Sequence, residues 1–109
     1  MARRKKTGGT FTLAGKTQDG KQIVQGAFAM VDTYGIPLDI VLSTLEDRGM
    51  LPDWLDFYES ALAAGWNPKN VITKLEMAIG DVYGPLFLEG WKTMMADYMV
   101  HRSLYRKDG

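Results

Sequence analysis

Apolar residues recur at helical spacing through most of this chain. The clearest stripe is Leu51, Trp54, Leu55, Tyr58 and Leu62, at i, i+3, i+4, i+7 and i+11, with Asp53, Asp56 and Glu59 on the opposite face. That pattern predicts an amphipathic surface helix. An earlier helix is predicted from Pro37 to about Arg48, with Ile40, Val41 and Leu45 facing inward. A later one starts with Asn67 as N-cap ahead of Pro68 and buries Val71, Ile72, Leu75 and Ile79, and Gly80 and Gly84 weaken its end. A final helix follows Pro85 to about Tyr105, with Phe87, Trp91, Met95, Tyr98 and Tyr105 on one side. The first helix is expected over about Gln22 to Tyr34, with Val24, Phe28, Met30 and Val31 as core contacts.

The boundaries come from punctuation. Gly35-Ile36-Pro37, Gly49-Met50-Leu51-Pro52, Gly65-Trp66-Asn67-Pro68 and Gly84-Pro85 each set a glycine shortly before a proline, and together hold all four prolines. Glycine suits the left-handed residue after a helix end, and proline suits the first turn of the next helix. The fold class expected is mostly α, a compact bundle of about five short helices joined by tight turns. Ahead of it, Thr10-Phe11-Thr12-Leu13 alternates polar and apolar, Gln18-Asp19-Gly20 supplies a turn, and Gln22-Ile23-Val24 can return along the first run. A small β-hairpin at 10–24 is the reading of that segment, with an extended leader as its alternative. The division is then a basic arm at 1–9, the hairpin or leader at 10–24, a helical domain at 25–105 and a tail at 106–109.

Composition narrows the chemistry. The 109 residues include no cysteine, which excludes disulfides and thiolate sites. No apolar run approaches the roughly 18 residues of a membrane span. Arg3-Arg4-Lys5-Lys6 is followed by a polar, glycine-rich stretch where a signal peptide needs an apolar one. The expectation is a soluble protein of the cytoplasm, or of a virion, that is not secreted and has no membrane partner. A net charge of zero conceals segregation. Residues 1–21 carry six cations against one acid, a net of +5; residues 22–100 carry four against eleven, a net of −7; residues 101–109 carry three against one, a net of +2. An acidic body with basic ends points to partners. Arg3, Arg4, Lys5 and Lys6 form a tether able to neutralise phosphates of DNA or RNA without reading sequence, and Arg102 and Arg106 extend it if the two ends lie together.

An internal repeat at an offset of 30 residues matches Gly35-x5-Val41-Leu42-Ser43-Thr44-Leu45-Glu46 to Gly65-x5-Val71-Ile72-Thr73-Lys74-Leu75-Glu76. Two helical hairpins in similar surroundings explain it structurally. DNA-binding helix-turn-helix units share its spacing, with a small residue four before the turn glycine and an aliphatic six after it. Ala61, Gly65 and Val71 satisfy that spacing, and Val31, Gly35 and Val41 do so less well. After Gly65 the exposed candidates Asn67, Lys69, Asn70, Thr73 and Lys74 suit bases and phosphates. After Gly35 they are Asp39, Ser43, Glu46 and Asp47, whose acids repel phosphate.

A third feature is the surplus of methionine and aromatic side chains on the last helix. Trp91, Met94, Met95, Tyr98 and Met99 are either ordinary core or a partner interface, and the expectation is a homo-oligomer or larger assembly. Catalysis finds little support. His101 is the single histidine, with no nucleophile placed beside it, and the glycine pairs fit no phosphate-binding loop. Asp53, Asp56 and Glu59 have a spacing able to hold a metal, but such triplets are ordinarily the solvated face of a helix. No cofactor, metal site or catalytic residue is expected.

Small size, a basic arm on an acidic helical body and the lack of catalytic groups resemble the style of viral or phage accessory proteins. The leading expectation is a non-catalytic, self-associating helical assembly protein that reaches nucleic acid through its basic ends. One alternative is a helix-turn-helix DNA-binding regulator or packaging-initiation subunit using the Gly65 turn. Another is an inhibitor whose acidic face, built from Glu46, Asp47, Asp53, Asp56 and Glu59, mimics nucleic acid.

Overall fold

The Gly/Pro junctions are element boundaries, but not all of them join two helices. The computed structural model describes residues 11–106, with side chains through residue 101. The arm with Arg3, Arg4, Lys5 and Lys6 and the tail from residue 107 lie outside the described residues. The elements run β1 (Thr12–Lys16), β2 (Gln22–Gln25), α1 (Ala27–Asp32), α2 (Leu38–Asp47), β3 (Met50–Pro52), α3 (Trp54–Ala63), α4 (Pro68–Tyr83) and α5 (Pro85–Arg106). Among the described residues the chain is mostly helical, with five helices and a small three-stranded sheet.

The hairpin is present. β1 pairs antiparallel with β2, with a register irregularity between Leu13 and Gly15. The Gly20 N–H reaches the Thr17 carbonyl at 3.1 Å, and Gly20 holds a left-handed φ of 94°. Two expectations change as a result. The first helix begins at Ala27 instead of Gln22, because Gln22–Gln25 is hydrogen-bonded as the central strand. Leu51 belongs to β3, parallel to β2 in the register Gln22↔Met50, Ile23↔Leu51 and Val24↔Pro52, so the third helix starts at Trp54. A proline is tolerated in β3 because that strand is an edge, where a missing N–H breaks no ladder.

The repeat extends beyond its sequence match. β2–α1–α2 and β3–α3–α4 are two strand–helix–helix units whose strands pair in parallel, with α1 packed on α3 and α2 on α4. Equivalent positions are buried in both, Phe28 with Tyr58, Val41 with Val71 and Leu45 with Leu75. Helix α5 then covers α4. The core centres on Leu42, Leu45, Phe57, Val71, Leu75 and Ile79, each under 2% exposed. Ile40, expected inside, is 49% exposed, because the inward face of α2 runs through Val41, Leu42 and Leu45. Ile72 is only half-buried, and Ala78 joins Ile79 in the core.

Side-chain caps fix the starts of α3 and α4. The Asp53 carboxylate accepts from the Leu55 and Asp56 N–H groups, both at 3.1 Å, and from Gln25 Nε2 at 3.2 Å. Asn67 Oδ1 accepts from Lys69 N–H at 2.9 Å and from Asn70 N–H at 3.4 Å. Asp53→Ala is therefore expected to cost about 1–2 kcal/mol and Asn67→Ala about 1 kcal/mol or less, since Asp53 also ties α3 to β2 while Asn67 is exposed. Urea midpoints followed by circular dichroism check the order. Equal losses would mean that the Gln25 contact adds nothing.

Candidate nucleic-acid interface

The turn between α3 and α4 is built from backbone hydrogen bonds that only a left-handed residue permits. The Trp66 N–H reaches the Ala61 carbonyl at 3.0 Å and the Gly65 N–H reaches Leu62 at 3.0 Å, the Schellman arrangement, with Gly65 at φ 94°. Ala61 and Val71, either side of the turn, are both fully buried, so the two helices close tightly about it. Lys69, Asn70, Thr73 and Lys74 are all exposed in the first two turns of α4. No acidic residue lies in that helix's first turn. The Lys74 ammonium sits 5.9 Å over the ring of half-buried Trp66. Asn67 is committed to its cap, which leaves Lys69, Asn70, Thr73 and Lys74 as the groups facing outward. The Gly35 unit has the same left-handed turn, at φ 70°, but exposes Asp39, Glu46 and Asp47 after it. Arg102 and Arg106 belong to the last turns of α5.

The acidic stripe of α3 is bound within the fold. Asp53 caps its own helix, Asp56 Oδ2 accepts from the Gly26 N–H at 3.1 Å, and the Tyr98 hydroxyl donates to Glu59. Gly26 starts α1 without a side chain to cap it, so Asp56 supplies the acceptor from the neighbouring unit. Of the five acids considered as a mimic surface, Glu46 also pairs with Lys21 at 3.2 Å.

The Met–aromatic set divides. Trp91 and Met95 are 4% and 2% exposed, covered by the chain's own packing because that side of α5 faces the core. Tyr98 is half-buried, and Met99 lines a recess with Pro68, Lys69, Ile72 and Thr73. Met94 is 36% exposed and shares another recess with Leu86, which is 89% exposed and carries no period signal in the sequence. His101 Nδ1 lies 2.9 Å from the Asp97 carbonyl and 3.6 Å from its carboxylate, a local contact along α5. No cluster of three or more metal-ligating side chains exists among the described residues.

Among the described residues two buried polar groups stand out, the Tyr83 hydroxyl and the Trp91 indole N–H, neither with a hydrogen-bond partner there. Tyr83 stacks on Phe87 with ring centroids 4.6 Å apart and meets Trp54 edge-on at 6.1 Å. Burial, and secondarily the negative charge of Glu46, push its phenol above the ordinary tyrosine range. The folded chain thus keeps a proton that the unfolded chain loses above about pH 10. Stability from this group is present below that pH and falls as pH rises beyond it. Tyr83→Phe is expected to raise stability at neutral pH by about 1 kcal/mol, through loss of an unpaired hydroxyl, and to flatten the alkaline decline. Thermal melts of both proteins from neutral pH upward test this. Parallel curves would show that the hydroxyl reaches solvent and titrates alike in the folded and unfolded chain.

No family model matches the chain, and no solved structure matches it. It is 32% identical over 77 residues to a chloroplastic/mitochondrial alanine–tRNA ligase of Micromonas pusilla (strain CCMP1545). The match takes in 67% of this chain but 8% of that protein, so the chain spans less than a tenth of the length of that relative.

Proposed function

We propose that the chain is a non-catalytic helical protein that binds nucleic acid, with the start of α4 as its structured contact and the basic arm as an unspecific tether. The observation that supports this is the single exposed face carrying Lys69, Asn70, Thr73 and Lys74 beyond the Gly65 turn. Two lysines and two neutral donors at a helix start suit phosphates and base edges together. The acidic unit around Gly35 provides the built-in contrast.

The test is fluorescence anisotropy of labelled duplex DNA, single-stranded DNA and tRNA with the full chain across a salt series. The partial similarity to an alanine–tRNA ligase is the reason tRNA stands among the probes. Lys69→Ala with Lys74→Ala is expected to weaken binding and to lower the salt slope by about 2. Asn70→Ala should relax sequence preference. If those variants bind as the parent does while neutralising Arg3 to Lys6 with glutamine abolishes binding, α4 is not a contact.

Self-association is a second reading, favoured by Leu86. This nearly bare side chain stands beside an apolar recess of about 290 Å³ that includes Trp54, Phe87, Gly90 and Met94. Leu86→Ser should shift sedimentation equilibrium toward monomer. A parent chain already monomeric at tens of micromolar removes this reading.

A further inference from the structure

Residues of both turns of the repeat, Gly35 to Pro37 and Trp66, line a shared cleft of about 520 Å³. Gly35 to Asp39 form one lip, and Trp66 with the outer face of α4 forms the other. The floor is apolar. Phe57 and Ala78 are 1% and 6% exposed there, while Val31, Ile36 and Met77 make walls that offer no side-chain hydrogen-bonding group.

Among the described residues charge enters only from Lys74, Asp39 and Asp81. Lys74 rests over the Trp66 ring, and among the described residues neither aspartate takes part in an ion pair. The cleft therefore carries a net charge of −1 inside a body whose residues 22–100 sum to −7. The ring of Trp66 already holds a cation on its face, as an electron-rich aromatic surface does. An anionic occupant would have to approach two unpaired carboxylates, and a cationic one is drawn to them.

We propose that this cleft docks a basic peptide segment of a partner protein, taking one large apolar side chain between Trp66 and Ile36 and a flanking lysine or arginine against Asp39 or Asp81. An apolar anchor in a pocket with charged residues at its rim is the usual division of work in peptide recognition. Lys74 occupies the ring face in the free chain and swings out when the ligand's apolar side chain arrives. The site shares Lys74 with the nucleic-acid face but not Lys69, Asn70 or Thr73, and it does not rest on the nucleic-acid reading.

The test titrates short synthetic peptides into the full chain. They carry a central phenylalanine, leucine or serine between lysine, glutamate or serine flanks, and binding is followed by tryptophan fluorescence and by NMR shifts of Ile36 and Met77. Phenylalanine or leucine between lysines should bind. Serine-centred and glutamate-flanked versions should not. Asp39→Asn with Asp81→Asn should weaken binding about tenfold or more, and Lys74→Gln should leave it intact or tighten it. Circular dichroism confirms that these surface variants fold. The proposal fails if no lysine-flanked peptide binds at millimolar concentration or if glutamate flanks bind as well. It fails equally if the double aspartate variant binds unchanged, or if oligothymidylate gives the Ile36 and Met77 shifts in place of the peptide.

Discussion

Phe57→Ala is expected to lower the unfolding free energy by about 3–5 kcal/mol. Phe57 is 1% exposed and stands where the two repeat units meet, with its ring edge-on to Phe28 at 5.4 Å. Phe28 in turn meets Trp66 at 5.0 Å, so one aromatic row links α1, α3 and the Gly65 turn. Deleting the ring removes its transfer energy and its edge contact. The vacated space also opens into the cleft whose floor it forms, so the neighbours cannot simply collapse inward. A small domain has about 5–15 kcal/mol in all, so the variant would be marginal at room temperature. Urea unfolding of Phe57→Ala and Phe57→Leu decides it. Leucine should recover more than half of the loss, and a loss below about 1 kcal/mol for alanine would show that the ring is not core.

Phe57 is absent from the apolar stripe that the sequence suggests for α3, although it is the most buried large side chain of that helix. The stripe from Leu51 through Trp54, Leu55, Tyr58 and Leu62 was anchored on Leu51, two residues before the Asp53 cap. With Leu51 in a strand, the buried face of α3 recentres on Phe57, Tyr58 and Ala61. Asp53 was itself a readable signal, an N-cap residue just before an apolar period, but it was assigned to the polar face. By contrast, the Asn67 cap and the glycine–proline boundaries were legible because they act within a few residues of themselves. β3 was not, since three residues including Pro52 form a strand only through pairing with β2, about 28 positions earlier. The candidate site divides the same way. The exposure of Lys69, Asn70, Thr73 and Lys74 follows from helical period. The meeting of the two turns in a cleft, and the capture of Asp56 by Gly26, are tertiary facts that no local pattern carries.

The repeat leads to the second large effect. Leu75→Ala is expected to cost about 2–5 kcal/mol, because Leu75 is wholly buried on α4, the helix that packs on both α2 and α5. Its counterpart Leu45, 1% exposed, should cost a similar amount on the same chemistry. If the two units are packed as a pseudo-symmetric pair, these leucines share an interface, and the losses should fall short of additive by about 0.5–3 kcal/mol in the double variant. The reason is physical: once one side of an interdigitated contact is gone, the other side has less to lose. Equilibrium unfolding of the two single variants and the double completes the cycle. Strict additivity would place the leucines in separate parts of the core, and the 30-residue match would then reflect two hairpins with similar local needs and no shared seam.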